Sequence, residues 1–228
     1  MKPGLRSDRG VDAPPRQKPR LRGVFHLVAA CVAVPVVLAL WNAAGSTSAR
    51  WGAGVYGASL CALFTISAVY HRPTWPPRTR DLLGRIDQSA IFLLIAGTYT
   101  PFGLLAGPSG SHALLLVVWS GALGGCALAL AWPAAPKPLM AGLYVLFAWA
   151  MTGLVPSLHH TAGMRVLGLV LLGGLVYTAG AIVYAVQRPD PFPRIFGYHE
   201  IFHLFVVAAA ALHFAAVWLT LPLLTAMA

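Results

Sequence analysis

The sequence predicts an all-α, polytopic membrane protein: a bundle of seven transmembrane helices with its N-terminus in the cytosol and its C-terminus outside. Three observations carry that expectation. Of the 228 residues, 58% are hydrophobic and 10% charged, against roughly 25% charged in an ordinary soluble domain. The apolar residues gather into runs of about 20, the length a helix needs to cross a hydrocarbon core of roughly 30 Å. The basic residues are shared out unevenly between the connections, as the positive-inside rule requires of a multi-pass protein.

Residues 1–23 carry seven Lys or Arg and four Pro but no apolar core, the composition of a disordered basic arm. The expected division is therefore a tail over 1–23 and a membrane domain over 24–228. The first apolar run, 24–44, is too long for the h-region of a signal peptide and ends without a small-residue cleavage site, so it is expected to remain as the first helix. Further runs between charges follow at 51–71, 87–106, 112–132, 138–156, 165–186 and 199–222. Almost nothing is left for a soluble domain. Cys31, Cys61 and Cys126 fall singly within apolar runs, without the Cys-x-x-Cys spacing of a thiolate metal site or redox pair, and read as packing residues.

Orientation follows from the basic residues. The tail, Arg72, Arg78, Arg80, Arg85, Lys137, Arg188 and Arg194 fall on one side, and only Arg50 and Arg165 on the other. The tail side is therefore cytosolic. The net charge of +10 calls for no nucleic acid: the expected partners of the tail are anionic lipid headgroups, worth about 1 kcal/mol per basic residue near the surface.

This orientation sorts the scattered ionisable residues by depth. His71 ends the second helix, Asp87 begins the third, and His199 and His203 begin the seventh, all at the cytosolic level. His199 and His203 are four residues apart, which on a helix puts both imidazoles on one face at the spacing two zinc ligands need. They can equally be two interfacial histidines satisfied by headgroups and loop carbonyls. Ser67 and His71 repeat the same spacing, though a serine in a membrane helix commonly bonds its own backbone. Asp87 reads either as a first-turn carboxylate favoured by the helix dipole and paired with Arg85 or Arg80, or as a partner of a metal-bound water.

His199-Glu200-Ile201-Phe202-His203 also spells the His-Glu-x-x-His of zinc metalloproteases. The downstream candidate for a third ligand, His213, lies ten residues on, about 15 Å deeper along the helix and too far to share the ion. Glu200 is expected to pair with Arg194 at the surface, and His213 to be a buried structural histidine. His159 and His160 are expected in a solvated outer loop. His26 opens the first helix at the cytosolic level, with nothing but depth to place it near the others. Gly121-x-x-x-Gly125 permits close helix approach but is common by chance.

Three segments in order, Ser67-Ala-Val-Tyr-His71, the stretch from Asp87-Gln-Ser to Thr-Pro101-Phe102, and His199-Glu-Ile-Phe-His203 before an Ala-rich helix, resemble the hemolysin III family. That family lies within the larger group of the progestin and adiponectin receptors and is more distantly similar to alkaline ceramidases. The resemblance spans essentially all seven runs. It implies a zinc ion on His71, His199 and His203, with Asp87 and Ser67 supporting its water. Gln88 stands where bacterial members often carry histidine, which leaves the ligand positions untouched.

Three ligands leave a fourth tetrahedral position open, the mark of a catalytic zinc, whose bound water has a pKa near 7. The favoured expectation is a zinc-dependent hydrolase of membrane lipids, a ceramidase-like amidase in the plasma membrane, with Asp87 and Ser67 as its catalytic residues. Two alternatives stand beside it: a membrane-homeostasis or receptor-like protein with structural zinc, and a channel-forming cytolysin. The absence of a polar stripe along any span speaks against a pore.

Overall fold

A computed structural model describes residues 18–106 and 108–227. Among these the regular secondary structure is helical, apart from one isolated bridge between Phe192 and Phe196. The helices are α1 (Val24–Ala43), α2 (Thr47–His71), α3 (Pro77–Leu105), α4 (Pro108–Ala131), α5 (Lys137–Trp149), α6 (Val155–Val186) and α7 (Tyr198–Ala226), with a 3-10 turn at Ala150–Leu154 joining α5 to α6. Six stretches are long and apolar enough to cross a membrane, Lys137–Val186 counting as one. In hydrocarbon every backbone N–H and C=O must be satisfied within the chain, which is why apolar runs of this length become helices.

Neighbouring helices alternate in direction. Gly57 of α2 lies against Val37 of α1, and Gly23, just before α1, against His71 at the end of α2. On α3, Gly97 meets Ser59, while Arg85 reaches the Leu130 carbonyl of α4. Lys137 at the start of α5 lies over the Tyr184 ring near the end of α6, and Trp149 at the end of α5 donates to Thr178. Gly173 and Gly180 of α6 face His213 and Phe205 of α7. Serine 46, capping α2, donates to the Leu224 carbonyl near the end of α7. The starts of α1, α3, α5 and α7 thus share one end with the ends of α2, α4 and α6.

Glycines set two of the closest approaches. A Cβ on Gly97 would fall 2.0 Å from the Ser59 hydroxyl oxygen, so only glycine lets α2 and α3 meet there. Gly121 and Gly125 of α4 receive the rings of Phe147 and Phe92, so this pair seats aromatic side chains. Gly163 has φ 76° and breaks α6 near its start, at a left-handed conformation that costs a residue with a Cβ. Leu40, Tyr56, Tyr99 and Phe102 fill the core, while other large apolar side chains face outward, Leu116 and Leu146 each 70% exposed, as lipid-facing positions do. The three cysteines are free.

Several expectations shift. Helix α3 begins ten residues before Asp87, because the helix runs on past the apolar segment through the arginines, so Asp87 is not a first-turn carboxylate. His159 and His160 are exposed as expected, but lie on α6 and not in a loop. Of the segment expected as a tail, residues 1–17 lie outside the described residues. Residues 18–23 form a turn against the bundle: the Arg20 and Leu21 amides donate to the carbonyls of Arg194 and Ile195, and Lys18 Nζ to those of Arg72 and Pro73.

Candidate metal centre

The shared end of the bundle gathers the polar residues. His71 closes α2, and His199 and His203 occupy the first turns of α7, which packs against α1, α2 and α3. One donor nitrogen from each of His71, His199 and His203 can be chosen so that all lie within 4.8 Å of one another. Nε2 of His71 and Nε2 of His199 are 3.1 Å apart. Zinc–nitrogen bonds of 2.0–2.1 Å at tetrahedral angles put neighbouring ligand atoms about 3.3 Å apart, so this pair already stands at ligand spacing. His71 and His203 are buried and His199 partly so. The donor set and spacing fit a metal ion: this three-histidine group could hold one.

Asp87 stands beside it, with Oδ2 3.6 Å from His71 Nε2 and a side chain 17% exposed. Position eleven of a helix that packs on both α2 and α7 delivers it there. Ser67 is buried one turn deeper on α2. Among the described residues no hydrogen bond joins Ser67 to His71 or Asp87, so the structure brings Asp87 to the histidines and leaves Ser67 one turn away.

Glu200 points elsewhere. It is fully buried; Oε1 forms an ion pair with Arg22 Nε at 2.5 Å and Oε2 accepts the Gly197 amide at 2.8 Å. Its partner is therefore Arg22 and not Arg194, and it sits inside the protein and not at the surface. Both oxygens are turned to Arg22 and Gly197, so the arrangement gives no support to the metalloprotease reading of the His-Glu-x-x-His string. His213 is buried, its Nε2 3.1 Å from the Val170 carbonyl and its ring against Gly173, the structural histidine expected.

Two residues that the sequence left unassigned belong to this end. His26, 3% exposed, stacks on His203 with ring centroids 3.8 Å apart and planes 4° from parallel. Arg22 carries the ion pair to Glu200. Depth along α1 was the one available signal for His26; nothing in the sequence ties Arg22 to a residue 178 positions away.

A cavity of about 110 Å³ lies beside this centre and meets it at Asp87 and His26. His26 and Asp87 line it at the histidine end; it passes Tyr99 and Tyr177 between α3, α5, α6 and α7, and reaches Thr152 and Leu158. Its walls are almost wholly apolar, so a hydrocarbon chain is the ligand they suit.

Fold and site together define a multi-pass helical membrane protein whose bundle buries three histidines able to hold a metal ion. The chain belongs to the haemolysin-III related family, matching it over residues 15–214. It is 33% identical over 199 residues to the hemolysin-3 homolog of Bacillus subtilis (strain 168), which covers 85% of this chain and 90% of that protein. Hemolysin-3 of Bacillus cereus is 32% identical over 199 residues, covering 85% and 87%. The monocyte to macrophage differentiation factor of Homo sapiens is 32% identical over 172 residues, covering 73% and 68%. Membership of the wider progestin and adiponectin receptor group is consistent with this family.

Proposed function

We propose that this protein is a zinc-dependent hydrolase, an amidase acting on membrane lipids. In this reading it crosses the plasma membrane seven times, with its N-terminus in the cytosol and its C-terminus outside. The antiparallel packing of α5 on α6 supports dividing Lys137–Val186 into two crossings. The basic residues Lys18, Arg20, Arg22 and Arg72 at the histidine end support the orientation.

The observation that carries the reading is Asp87, which lies beside the three-histidine group and also lines an apolar cavity. Zinc held by His71, His199 and His203 would supply Lewis acidity toward an acyl carbonyl and a water activated near neutral pH. The cavity holds the acyl chain and excludes bulk water. Asp87 takes the proton lost by the attacking water and passes it to the departing nitrogen as the new C–O bond forms and the C–N bond breaks. Free fatty acid and amine result, with no net charge stranded in the site. The Ser67 hydroxyl, one turn deeper, donates to the water or to the carbonyl oxygen as it gains charge.

The test is release of fatty acid from a panel of ceramides and phospholipids by purified, zinc-loaded protein. Release from the amides is the expected result, and a folded, zinc-loaded protein that cleaves none of them overturns the proposal. A second reading has one observation in its favour: the three histidines come from two different helices, so an ion there would pin α2 to α7 without any chemistry. Asp87→Asn separates the two, since a staple keeps its behaviour and a catalyst loses turnover. A cytolytic pore, the reading that the name of the Bacillus relatives prompts, finds no support in a cavity with apolar walls; channel conductance in zinc-containing bilayers would revive it.

A further inference from the structure

His26 is held in the site without a partner of its own. Neither ring nitrogen has a partner in hydrogen-bonding geometry, although both are shielded from solvent. Buried polar atoms are nearly always paired, because burial without a partner costs the hydration each has lost. The stacking on His203 explains the ring's position, but a stacked face satisfies no nitrogen.

Nor does the ion that the cluster could hold complete it. An imidazole directs its lone pair within the ring plane, so a metal ion lies in the plane of each ring that ligates it. The His26 and His203 planes are 4° from parallel and lie face to face at 3.8 Å; two such offset planes do not meet at one ion. His26 is thus outside the ligand set while touching it. It also lines the cavity beside Asp87.

We propose that His26 is a substrate-contacting residue that selects N-acyl over O-acyl lipids, an inference that rests on the lipid-hydrolase reading of the same cavity. A neutral imidazole presents one N–H and one acceptor nitrogen. A lipid amide entering the cavity brings an N–H that can donate to the acceptor nitrogen. An ester brings acceptors alone and leaves the acceptor nitrogen of His26 unpaired. Sites built to bond a donor discriminate strongly against analogues that lack it, because the unpaired group stays buried.

The experiment measures binding of oleamide and methyl oleate, two probes with the same chain, to zinc-loaded protein in detergent. Wild type is expected to bind oleamide about tenfold more tightly than methyl oleate, the order of one buried hydrogen bond. His26→Phe keeps a stacking ring and removes both nitrogens; it is expected to erase the preference by weakening oleamide, with methyl oleate unchanged within about twofold. His26→Gln restores a donor and an acceptor and is expected to recover most of the preference. Zinc content stays at the wild-type value in both variants. Equal binding of the two probes by wild type, a preference that survives His26→Phe, or loss of zinc on that substitution each overturns the proposal. Because binding needs no turnover, a protein that cleaves no lipid yet shows the preference loses the hydrolase reading and keeps His26. One that cleaves amides with the preference intact in His26→Phe does the reverse.

Discussion

Replacing Arg22 by Met leaves the Glu200 carboxylate in a fully buried position with the Gly197 amide as its remaining partner. The ion pair it loses is short, 2.5 Å, and the Arg22 side chain is itself 20% exposed. Removing one member of a buried pair typically costs about 3–5 kcal/mol, because the other charge stays desolvated. For a chain of this size each kcal/mol moves the midpoint by roughly 2–4 °C, so Arg22→Met is expected to lower Tm by about 6–20 °C. The converse change is milder. Glu200→Gln removes the fully buried charge and leaves Arg22 with some access to water, for an expected loss of about 1–2 kcal/mol. The turn over residues 18–23 also lies across the end of α2, where a Cβ on Gly23 would fall 2.7 Å from His71 Cβ. Arg22→Met should therefore give up bound metal to a chelator faster than wild type. Thermal unfolding in detergent, followed by fluorescence, measures the first effect and chelator competition the second. A Tm within 1 °C of wild type for Arg22→Met, or a larger loss for Glu200→Gln than for Arg22→Met, refutes the reasoning.

Asp87→Asn is expected to retain metal and fold while losing at least about a hundredfold in fatty-acid release, the scale of a lost proton-transfer group; metal content and turnover measured on one preparation check it. Gly163→Ala puts a Cβ where φ is 76° but where nothing lies within 4 Å, so its cost, about 1–2 kcal/mol, is that of the backbone alone; unfolding midpoints measure it. Gly97→Ala places a Cβ 2.0 Å from the Ser59 oxygen and is expected to destabilise by about 1–3 kcal/mol. Ser59→Gly in the same chain should recover most of that loss.

The helices were legible because hydrocarbon imposes a single rule, that apolar runs of sufficient length bond their own backbone. Helix α3 exceeded its expected span for a related reason: hydropathy marks where hydrocarbon ends, whereas hydrogen bonding carries the helix on through Arg78, Arg80 and Arg85 to Pro77. That displaced Asp87 from a first turn to a third, and so removed the capping explanation while leaving its depth unchanged. Spacing and level brought His71, His199 and His203 into question, the family resemblance singled them out as a ligand set, and α2 and α7 do adjoin as their convergence requires. His26 and the pair of Arg22 with Glu200 depend on α1 and the turn before it packing on α7, contacts between residues about 180 positions apart that no local pattern encodes.

The proposed function rests on a zinc ion held by His71, His199 and His203. Metal analysis of protein purified without chelator, wild type beside His203→Ala, tests it most directly. One zinc per wild-type chain is expected, with loss of most of it in a His203→Ala variant that remains folded by circular dichroism. Wild type free of zinc, or His203→Ala with the same zinc content as wild type, contradicts it.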